Sequence, residues 1–160
     1  MQKSESCLQI LVDGDACPVK DEIYRTALRH HVSVQVVSNS WFRIPDHDLF
    51  SQLIVSADFD AADDKIAALA GPDTVVVTAD ILLADRCLKA GATVIGPTGK
   101  PFTENSIGGA IATRAILADL RAGLGSERTS GPPPFSKADR SSFLQALDRA
   151  LVHLKKHRST

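Results

Sequence analysis

The feature that most constrains the fold is Thr74–Thr78, a run with the sequence TVVVT in which every residue is β-branched. β-Branched side chains favour the extended conformation of a strand over a helix. The run does not alternate between apolar and polar residues, so neither face of the strand is marked for solvent. Such a strand is typical of a parallel sheet that helices cover on both faces.

Other segments predict the partners that such a sheet requires. Apolar runs predict further strands at Leu8–Val12, Val34–Val37, Leu53–Val55 and Ala92–Ile95. Helical spacing predicts helices over Val19–His31, over 59–70 and over Asp80–Ala90. Strands that alternate with helices of about ten residues predict a sheet wound by right-handed crossovers. The expected fold class is therefore α/β: a single-domain parallel sheet with helices on both faces.

The last third of the chain predicts two C-terminal helices separated by a loop. Thr103–Leu124 has helical spacing, and Gly125–Pro134 is too rich in proline, glycine and polar residues for regular structure. Ser136–Asp139 predicts a capping box for the final helix. Its apolar residues, which should pack on the domain, are Phe143, Leu147, Leu151 and Leu154. The expected organisation is an α/β domain at 1–124, a loop at 125–136 and a packed helix at 137–157.

Acidic residues follow three of the predicted strands. Asp13 and Asp15 come after the first strand, the segment 60–64 (DAADD) follows the third, and Thr78 and Asp80 end the TVVVT strand. The carboxyl ends of parallel strands meet at one edge of a sheet, where ligands of α/β proteins bind. Carboxylates that converge there repel one another unless protons or cations intervene, and their oxygens suit Mg²⁺ or Mn²⁺. Thr78 could orient one of these carboxylates.

Each of these acids also has a purely structural role open to it. Asp63 could cap or complement the dipole of its helix, and Asp80 could cap the helix that follows it. Asp15, shortly before Pro18, could be a turn residue. Capping explains any single acid equally well, whereas the convergence of several acids on one edge favours a site.

The distribution of charge separates the chain into two parts. Residues 1–99 carry 14 acidic and 8 basic residues, a net charge of −6, whereas residues 100–160 carry 5 acidic and 10 basic residues, a net charge of +5. This split suits a metal-using enzyme that acts on a polyanion such as nucleic acid, although two solvated basic helix faces would also produce it. Further candidates for phosphate contact in the basic part are Arg121, Arg128, Lys137 and Arg140.

The cysteine content and the absence of apolar segments predict the compartment. The 3 cysteines contain no C-x-x-C pair, which argues against a disulfide framework and a cysteine-rich zinc site. The sequence has no signal-like segment and no apolar stretch long enough to span a bilayer. We therefore expect a cytoplasmic protein without membrane association.

Several segments together resemble the YaiI/YqxD family of small bacterial proteins, a branch of the PIN-like superfamily. The matching segments are VDGDACPVKDEIYRTA (Val12–Ala27), VVSNSWFRIP (Val36–Pro45), FDAADDKIA (59–67), VVVTADILLA (Val75–Ala84) and GPPPFSKADRSSFLQALDR (131–149). They extend over nearly the whole chain, and the D-x-D-A-C-P and T-A-D-I elements are specific in combination. Leu82 departs from the family pattern, in which a proline is common at this place.

The resemblance implies a PIN-like fold that holds Mg²⁺ or Mn²⁺ on acidic residues and cleaves RNA. It places the metal ligands at Asp13, Asp63 and Asp80, with Asp15 beside the first of them. It also implies substrate contacts at three polar residues, Asn39, Arg43 and Arg114. Neither Asp64 nor Asp85 falls on a marked position of the family.

Two other functions remain open from the sequence. Asp13-Gly14-Asp15 after a strand is similar to the opening motif of haloacid-dehalogenase phosphatases, in which the first Asp becomes phosphorylated. The expected downstream lysine is not evident, and the chain leaves little room for a cap domain. A nucleic-acid-binding or regulatory protein that kept the fold without catalysis is the other alternative, since a fold does not determine a function.

Overall fold

The computed structural model describes residues 8–58, 61–109 and 135–158, and it confirms the α/β class. The strands are β1 Gln9–Asp13, β2 Ser33–Ser38, β3 Phe50–Ile54, β4 Thr74–Val77, β5 Thr93–Ile95 and β6 Pro101–Phe102. The helices with complete bounds are α1 Lys20–His30, α2 Ala61–Leu69, α3 Ile81–Lys89 and α4 Lys137–Arg158. The described residues include no helix that is both long and apolar enough to cross a bilayer.

The strands form one six-stranded sheet in the order β3-β2-β1-β4-β5-β6. Neighbouring strands from β3 to β5 are parallel, as predicted, but β6 pairs antiparallel with β5. The sequence did not predict this antiparallel strand at the edge of the sheet. The reason for the antiparallel pairing is a tight turn, in which the N–H of Gly96 donates to Lys100 O and the N–H of Gly99 donates to Gly96 O. Gly99 has a φ of +92°, which reverses the chain without a crossover.

Two apolar cores lie on the two faces of the sheet, which explains why the strands are apolar without alternation. Val75 and Val77 of β4 contribute to the core beneath α1 and α4, while Val76 contributes to the core beneath α2 and α3. All four residues of β4 are buried. The interpretation of TVVVT as a strand covered on both faces is confirmed.

The edge strand β3 starts earlier than the sequence predicts. The apolar run Leu53–Val55 marks only its end, whereas the strand begins at Phe50 and, among the strands that the structure describes, pairs with β2 alone. Its other residues are half-buried or exposed, among them Ser51 and Gln52. An edge strand with little burial carries a weak apolar pattern, so the prediction missed its first half.

Helix α4 begins and packs as its sequence predicts. The N–H of Ser136 donates to Asp139 Oδ2 at 3.0 Å, and the N–H of Asp139 donates to Ser136 Oγ at 3.1 Å, which forms the capping box. Phe143, Leu147 and Leu151 are fully buried. The helix predicted over Thr103–Leu124 is helical at residues 104–109, and its remainder and the loop after it lie outside the described residues. The domain boundaries stay a prediction.

Two ion-pair groups join α4 to α1, and they differ in burial. Arg140 Nη1 lies 3.3 Å from Glu22 Oε1 and donates to Pro18 O at 2.9 Å, and the Glu22 side chain is only 7% exposed. Arg29 and His30 contact Asp148 Oδ1 at 2.9 and 2.6 Å in a more exposed place. The hydrogen bond from His30 and the nearby Arg29 lower the pKa of Asp148. The buried Glu22 depends more strongly on its partner than Asp148 does.

We expect Arg140→Met to lower the free energy of unfolding by roughly 1–3 kcal/mol, because it leaves a buried carboxylate with only a distant contact to Arg25. The matched variant Arg29→Met should cost less than about 1 kcal/mol, because its ion pair is exposed. Urea denaturation of both variants measures the difference. Equal effects of the two changes would contradict the ranking by burial.

Candidate functional site

The tips of β1 and β4 form the base of the candidate site. β1 ends at Asp13, and β4 ends at Val77, just before Thr78. The two strands are adjacent and parallel, with Val12 opposite Val77, so both tips lie at the same edge of the sheet. The half-buried Asp13 side chain thus stands beside the segment that leads into α3.

The Thr78 hydroxyl connects the two tips. It donates to Asp13 Oδ2 at 2.9 Å and accepts from the backbone N–H of Asp80 at 3.0 Å. Thr78 is only 2% exposed, whereas its partners Asp13 and Asp80 are half-buried. A hydroxyl is suited to this place because it can donate and accept at once. Its geometry agrees with the predicted role of orienting a carboxylate.

Asp80 is the N-cap of α3. Its Oδ1 accepts from the backbone N–H groups of Leu82 and Leu83, at 2.9 and 3.1 Å. The capping interpretation is therefore correct for this residue, and it occupies a single carboxylate oxygen. Among the described residues, no hydrogen bond reaches Oδ2. Capping and cation binding are compatible because they can use different oxygens of one carboxylate.

Asp15 joins the tip of β1 to the loop after β2. It lies in the 3-10 turn Gly14–Ala16, and its Oδ2 accepts from the N–H of Asn39 at 2.9 Å. The Asn39 side chain in turn donates to Ser56 O at 2.7 Å. A Cβ at Gly14 would lie 2.6 Å from Val36 Cγ1, so only glycine permits this close approach of the turn to β2.

A cleft of about 600 Å³ opens at this edge. Among the described residues, the polar ones that line it are Asp13, Asp15, Asn39, Asp63, Asp80 and Arg86. The apolar ones are Ala61, Ala62, Leu82 and Leu83. Asp63 reaches the cleft from the first turn of α2, opposite the start of α3. The four acids named from the sequence therefore come together, although they originate from three separate parts of the chain.

The cleft concentrates negative charge around Asp13. Burial raises the pKa of the Asp13 carboxyl above its usual value, and the nearby Asp15 and Asp80 carboxylates raise it further. The hydrogen bond from Thr78 acts in the opposite direction. A cation in the cleft would relieve both the desolvation and the repulsion of this carboxylate.

The donor set fits a cation with few protein ligands. Among the residues that the structure describes, no group of three His, Cys, Asp or Glu side chains is arranged to hold a metal ion. A closed cage of the structural zinc type is therefore not formed by these side chains. Mg²⁺ usually takes one or two carboxylates and completes its shell with waters and substrate oxygens, and Mn²⁺ suits similar oxygen ligands. Asp13 with Asp80 or Asp63 can supply such a set.

The substrate contacts implied by the resemblance are only partly brought together. Asn39 lines the cleft, whereas Arg43 is exposed on the loop after β2 and is not among the lining residues described. Arg114, Arg121 and Arg128 lie outside the described residues. Arg140 pairs with Glu22 and donates to Pro18 O, so its guanidinium is partly engaged within the fold, and its contact with phosphate stays a prediction.

Two further acids have partners away from the cleft centre. Asp64 pairs with Arg86 at 2.9 Å, and Asp85 pairs with Lys89 at 2.9 Å. Asp64 and Asp85 are not among the lining residues, which agrees with their lack of a marked family position. Asp85 is useful as a control because it lies on α3, the helix that Asp80 caps.

Sequence reasoning missed Arg86, the cationic residue among the described lining residues. It lies four residues after Leu82 on α3, and positions four apart lie on the same face of a helix. Once Asp80 is placed at the N-cap, this spacing directs Leu82 and Arg86 to the cleft side of α3. The signal was therefore present, but it required the helix to be set against the sheet.

Comparison with known proteins gives consistent results. The model of the family described as "Uncharacterized BCR, YaiI/YqxD family" matches residues 11–153. A "UPF0178 protein" of Sphingopyxis alaskensis is 68% identical over 92% of this chain and 95% of its own length. A "UPF0178 protein" of Jannaschia sp. is 56% identical over 91% and 94%, and one of Nitrobacter winogradskyi is 53% identical over 94% and 95%. No solved structure matches the chain significantly.

We expect Thr78→Val to raise the pKa of Asp13 further and to lower the free energy of unfolding by roughly 1–3 kcal/mol, because a buried hydrogen-bond donor and acceptor is removed. Carboxyl NMR titration measures the pKa, and urea denaturation measures the stability. Thr78→Ser keeps the hydroxyl and should leave the pKa of Asp13 unchanged. A pKa that moves equally in both variants would show that the hydroxyl is not the cause.

Proposed function

The chain belongs to the YaiI/YqxD family, and from this premise we propose that it is a Mg²⁺- or Mn²⁺-dependent phosphodiesterase that hydrolyses RNA. The observation that supports the proposal most strongly is the cleft itself. Asp13, Asp63 and Asp80 reach it from three different elements, and burial and neighbouring carboxylates raise the pKa of Asp13. This arrangement is costly for the apo protein and becomes favourable when a cation binds.

The acids in the cleft have separable roles in this proposal. Asp13 together with Asp80 or Asp63 would hold the cation, and Thr78 keeps Asp13 turned toward the cleft through its hydrogen bond to Oδ2. Asp15 adds negative charge and can accept a proton through Oδ1, since its Oδ2 is engaged by Asn39. When bound, Mg²⁺ or Mn²⁺ supplies a Lewis acid that activates water and stabilises the leaving oxygen of a phosphodiester.

The polar residues on the cleft wall favour an anionic substrate. Arg86 carries positive charge at the cleft, and its pairing with the exposed Asp64 keeps the guanidinium in position. An arginine fork can contact two phosphate oxygens at once. Asn39 is fixed by Asp15 and Ser56 and presents an amide close to the carboxylates. A phosphate group between Arg86 and the cation would therefore be held from two sides.

The chemistry of the cleft also bears on the two alternatives. Among the described lining residues there is no lysine, which disfavours a haloacid-dehalogenase phosphatase. In such an enzyme Asp13 would form a covalent aspartyl-phosphate, whereas a metal-dependent phosphodiesterase requires no phosphorylated residue. In a non-catalytic nucleic-acid-binding or regulatory protein, the electrostatic cost of a desolvated carboxylate beside other acids would not be offset by a catalytic function.

Mn²⁺ or Mg²⁺ should raise the melting temperature, because the folded protein binds the cation and the unfolded chain does not. At about ten times the dissociation constant the gain is roughly 1.4 kcal/mol, or roughly 3–6 °C for a domain of this size. The double variant Asp13→Asn/Asp80→Asn should lose this increment, while its metal-free melting temperature stays equal or rises. Thermal denaturation with metal and with chelator measures both effects.

Asp85→Asn is the matched control for the metal response, because it removes a carboxylate of α3 that pairs with Lys89 outside the cleft. Asp85→Asn should retain the full metal-induced rise in melting temperature. If the double variant at positions 13 and 80 responds to metal like the native chain, these two carboxylates are not ligands.

Asp80→Asn should reduce RNA cleavage in Mn²⁺ by about a hundred-fold or more, because one carboxylate ligand is lost while asparagine still caps α3. RNA affinity should be unchanged or improved, because a negative charge near the phosphates disappears. Cleavage of labelled single-stranded RNA, with chelator as the negative control, measures the rate.

An assay of the native chain and of Asp80→Asn on a chromogenic phosphate ester distinguishes the proposal from the phosphatase and from the non-catalytic protein. Ester hydrolysis without RNA cleavage, together with an Asp13 that beryllium fluoride traps, would replace the proposal by a phosphatase. Affinity for RNA without hydrolysis of either substrate would favour the non-catalytic binding protein.

A further inference from the structure

Trp41 is the single tryptophan of the chain, and it is 69% exposed. It lies on the loop between β2 and β3 and is the most exposed large apolar side chain among the described residues. Leaving an indole in water forgoes a large hydrophobic gain. An exposed tryptophan close to a candidate active site is therefore a candidate ligand-binding residue.

The loop around Trp41 is fixed rather than loosely held. Both backbone polar groups of Phe42 bond to the Gln52 side chain of β3, with distances of 2.9 Å to Oε1 and 2.7 Å from Nε2. On the other side, the Ser38 hydroxyl donates to Ser40 O at 2.7 Å. The residues that flank Trp41 are thus tied to the sheet. The indole is presented to solvent from a supported backbone.

Burial alternates along this loop. Phe42 and Ile44 pack against the core beneath α1 and α4, whereas Trp41 and Arg43 are exposed. Trp41 and Arg43, which are two residues apart along the chain, thus present an aromatic ring and a guanidinium to solvent from the same segment.

The segment that carries Trp41 begins at the carboxylate cleft. Asn39 lines the cleft and donates its N–H to Asp15, and Trp41 is only two residues further along the chain. Two residues span at most about 7 Å. A ligand that reaches from the carboxylates to the indole therefore needs to be no longer than a short piece of nucleic-acid chain.

The basic side chains on and beside this segment favour an anionic ligand with aromatic groups. Arg43 is exposed two residues after Trp41, and Lys20 Nζ lies 4.0 Å from the centre of the ring of Phe42, the residue between them. Asp46 and Asp48 come later in the loop, beyond Ile44. Cations beside an aromatic surface are the combination that binds phosphates and bases of a single strand.

We propose that Trp41 is a stacking platform for an unpaired base, and that Arg43 contacts the adjoining phosphate, so that the substrate of the cleft is single-stranded. This inference rests on the proposed function, since it assigns the substrate class of that same cleft. A paired base hides its faces within the duplex, whereas a base in a single strand can stack on an indole. Trp41 would thereby hold one nucleotide while a neighbouring phosphodiester lies among the carboxylates.

Because Trp41 is the only tryptophan, its fluorescence reports directly on stacking. Titration with an oligouridine of about ten nucleotides, with chelator present to prevent cleavage, should quench the emission in a saturable and salt-dependent manner. A blunt RNA duplex and an oligonucleotide of the same length that lacks bases should quench little. Equal quenching by the baseless strand would overturn the inference.

Variants test the contribution of the ring itself, with affinity measured by anisotropy of a labelled strand. Trp41→Ala should weaken binding by about five- to a hundred-fold, and Trp41→Phe should retain most of the affinity. Leu28→Ala removes another exposed apolar side chain, on α1, and should leave the affinity unchanged. Wild-type affinity in Trp41→Ala, or no binding of any single strand, would contradict the proposal.

The outcomes separate this inference from the proposed function. Base-dependent quenching without cleavage in Mn²⁺ would support the stacking role of Trp41 and contradict the hydrolytic activity. Metal-dependent cleavage together with native affinity in Trp41→Ala would support the activity and contradict the stacking role.

Discussion

The hydroxyl of Thr78 is the contact on which the arrangement of the candidate site depends. It bonds the carboxylate at the tip of β1 and the backbone of the residue that caps α3, so one buried group sets the relation between a strand and a helix. The cap then fixes the direction of α3 and, with it, the positions of Leu82 and Arg86 at the cleft. Removing a buried partner of this kind leaves polar groups without compensation, which is why such contacts tend to be rigid.

On the other side of β1, Asp15 and Asn39 also link separate elements through hydrogen bonds. Their backbone-to-carboxylate bond, with the bond from Asn39 to Ser56, links the ends of β1, β2 and β3. The fold thus holds Asp13 in a position where burial and the neighbouring carboxylates disfavour its charged form. The crowded carboxylates at this edge lower the free energy of unfolding, and burial of the two apolar cores on the faces of the sheet offsets that cost.

Much of the fold followed from the sequence because burial leaves a strong pattern. β4 lies beneath helices on both faces and is continuous in apolar residues, so its position was predicted to within one residue. β3 and β6 lie at the edges of the sheet, where one side has no strand partner among the described residues, and their patterns are correspondingly weak. The two-residue β6 has no periodicity to detect at all.

The site was predictable to the extent that it follows from sheet geometry. The acids at the tips of parallel strands could be grouped because the sheet brings these tips together. Arg86 and Trp41 could not be placed in the same way. The first depends on the rotation of α3 against the sheet, and the second depends on the side chain of Gln52, which holds the loop from a neighbouring strand.

The antiparallel strand β6 has a consequence for how molecules of this protein meet one another. It ends the described sheet with two residues, one of which, Pro101, has no N–H to offer. An open strand edge can recruit an extended segment from a second molecule and so begin aggregation. A short terminal strand with a proline offers too few donors for such growth, so this edge of the described sheet, which the tight turn at Gly99 creates, is poorly suited to pairing with a second molecule.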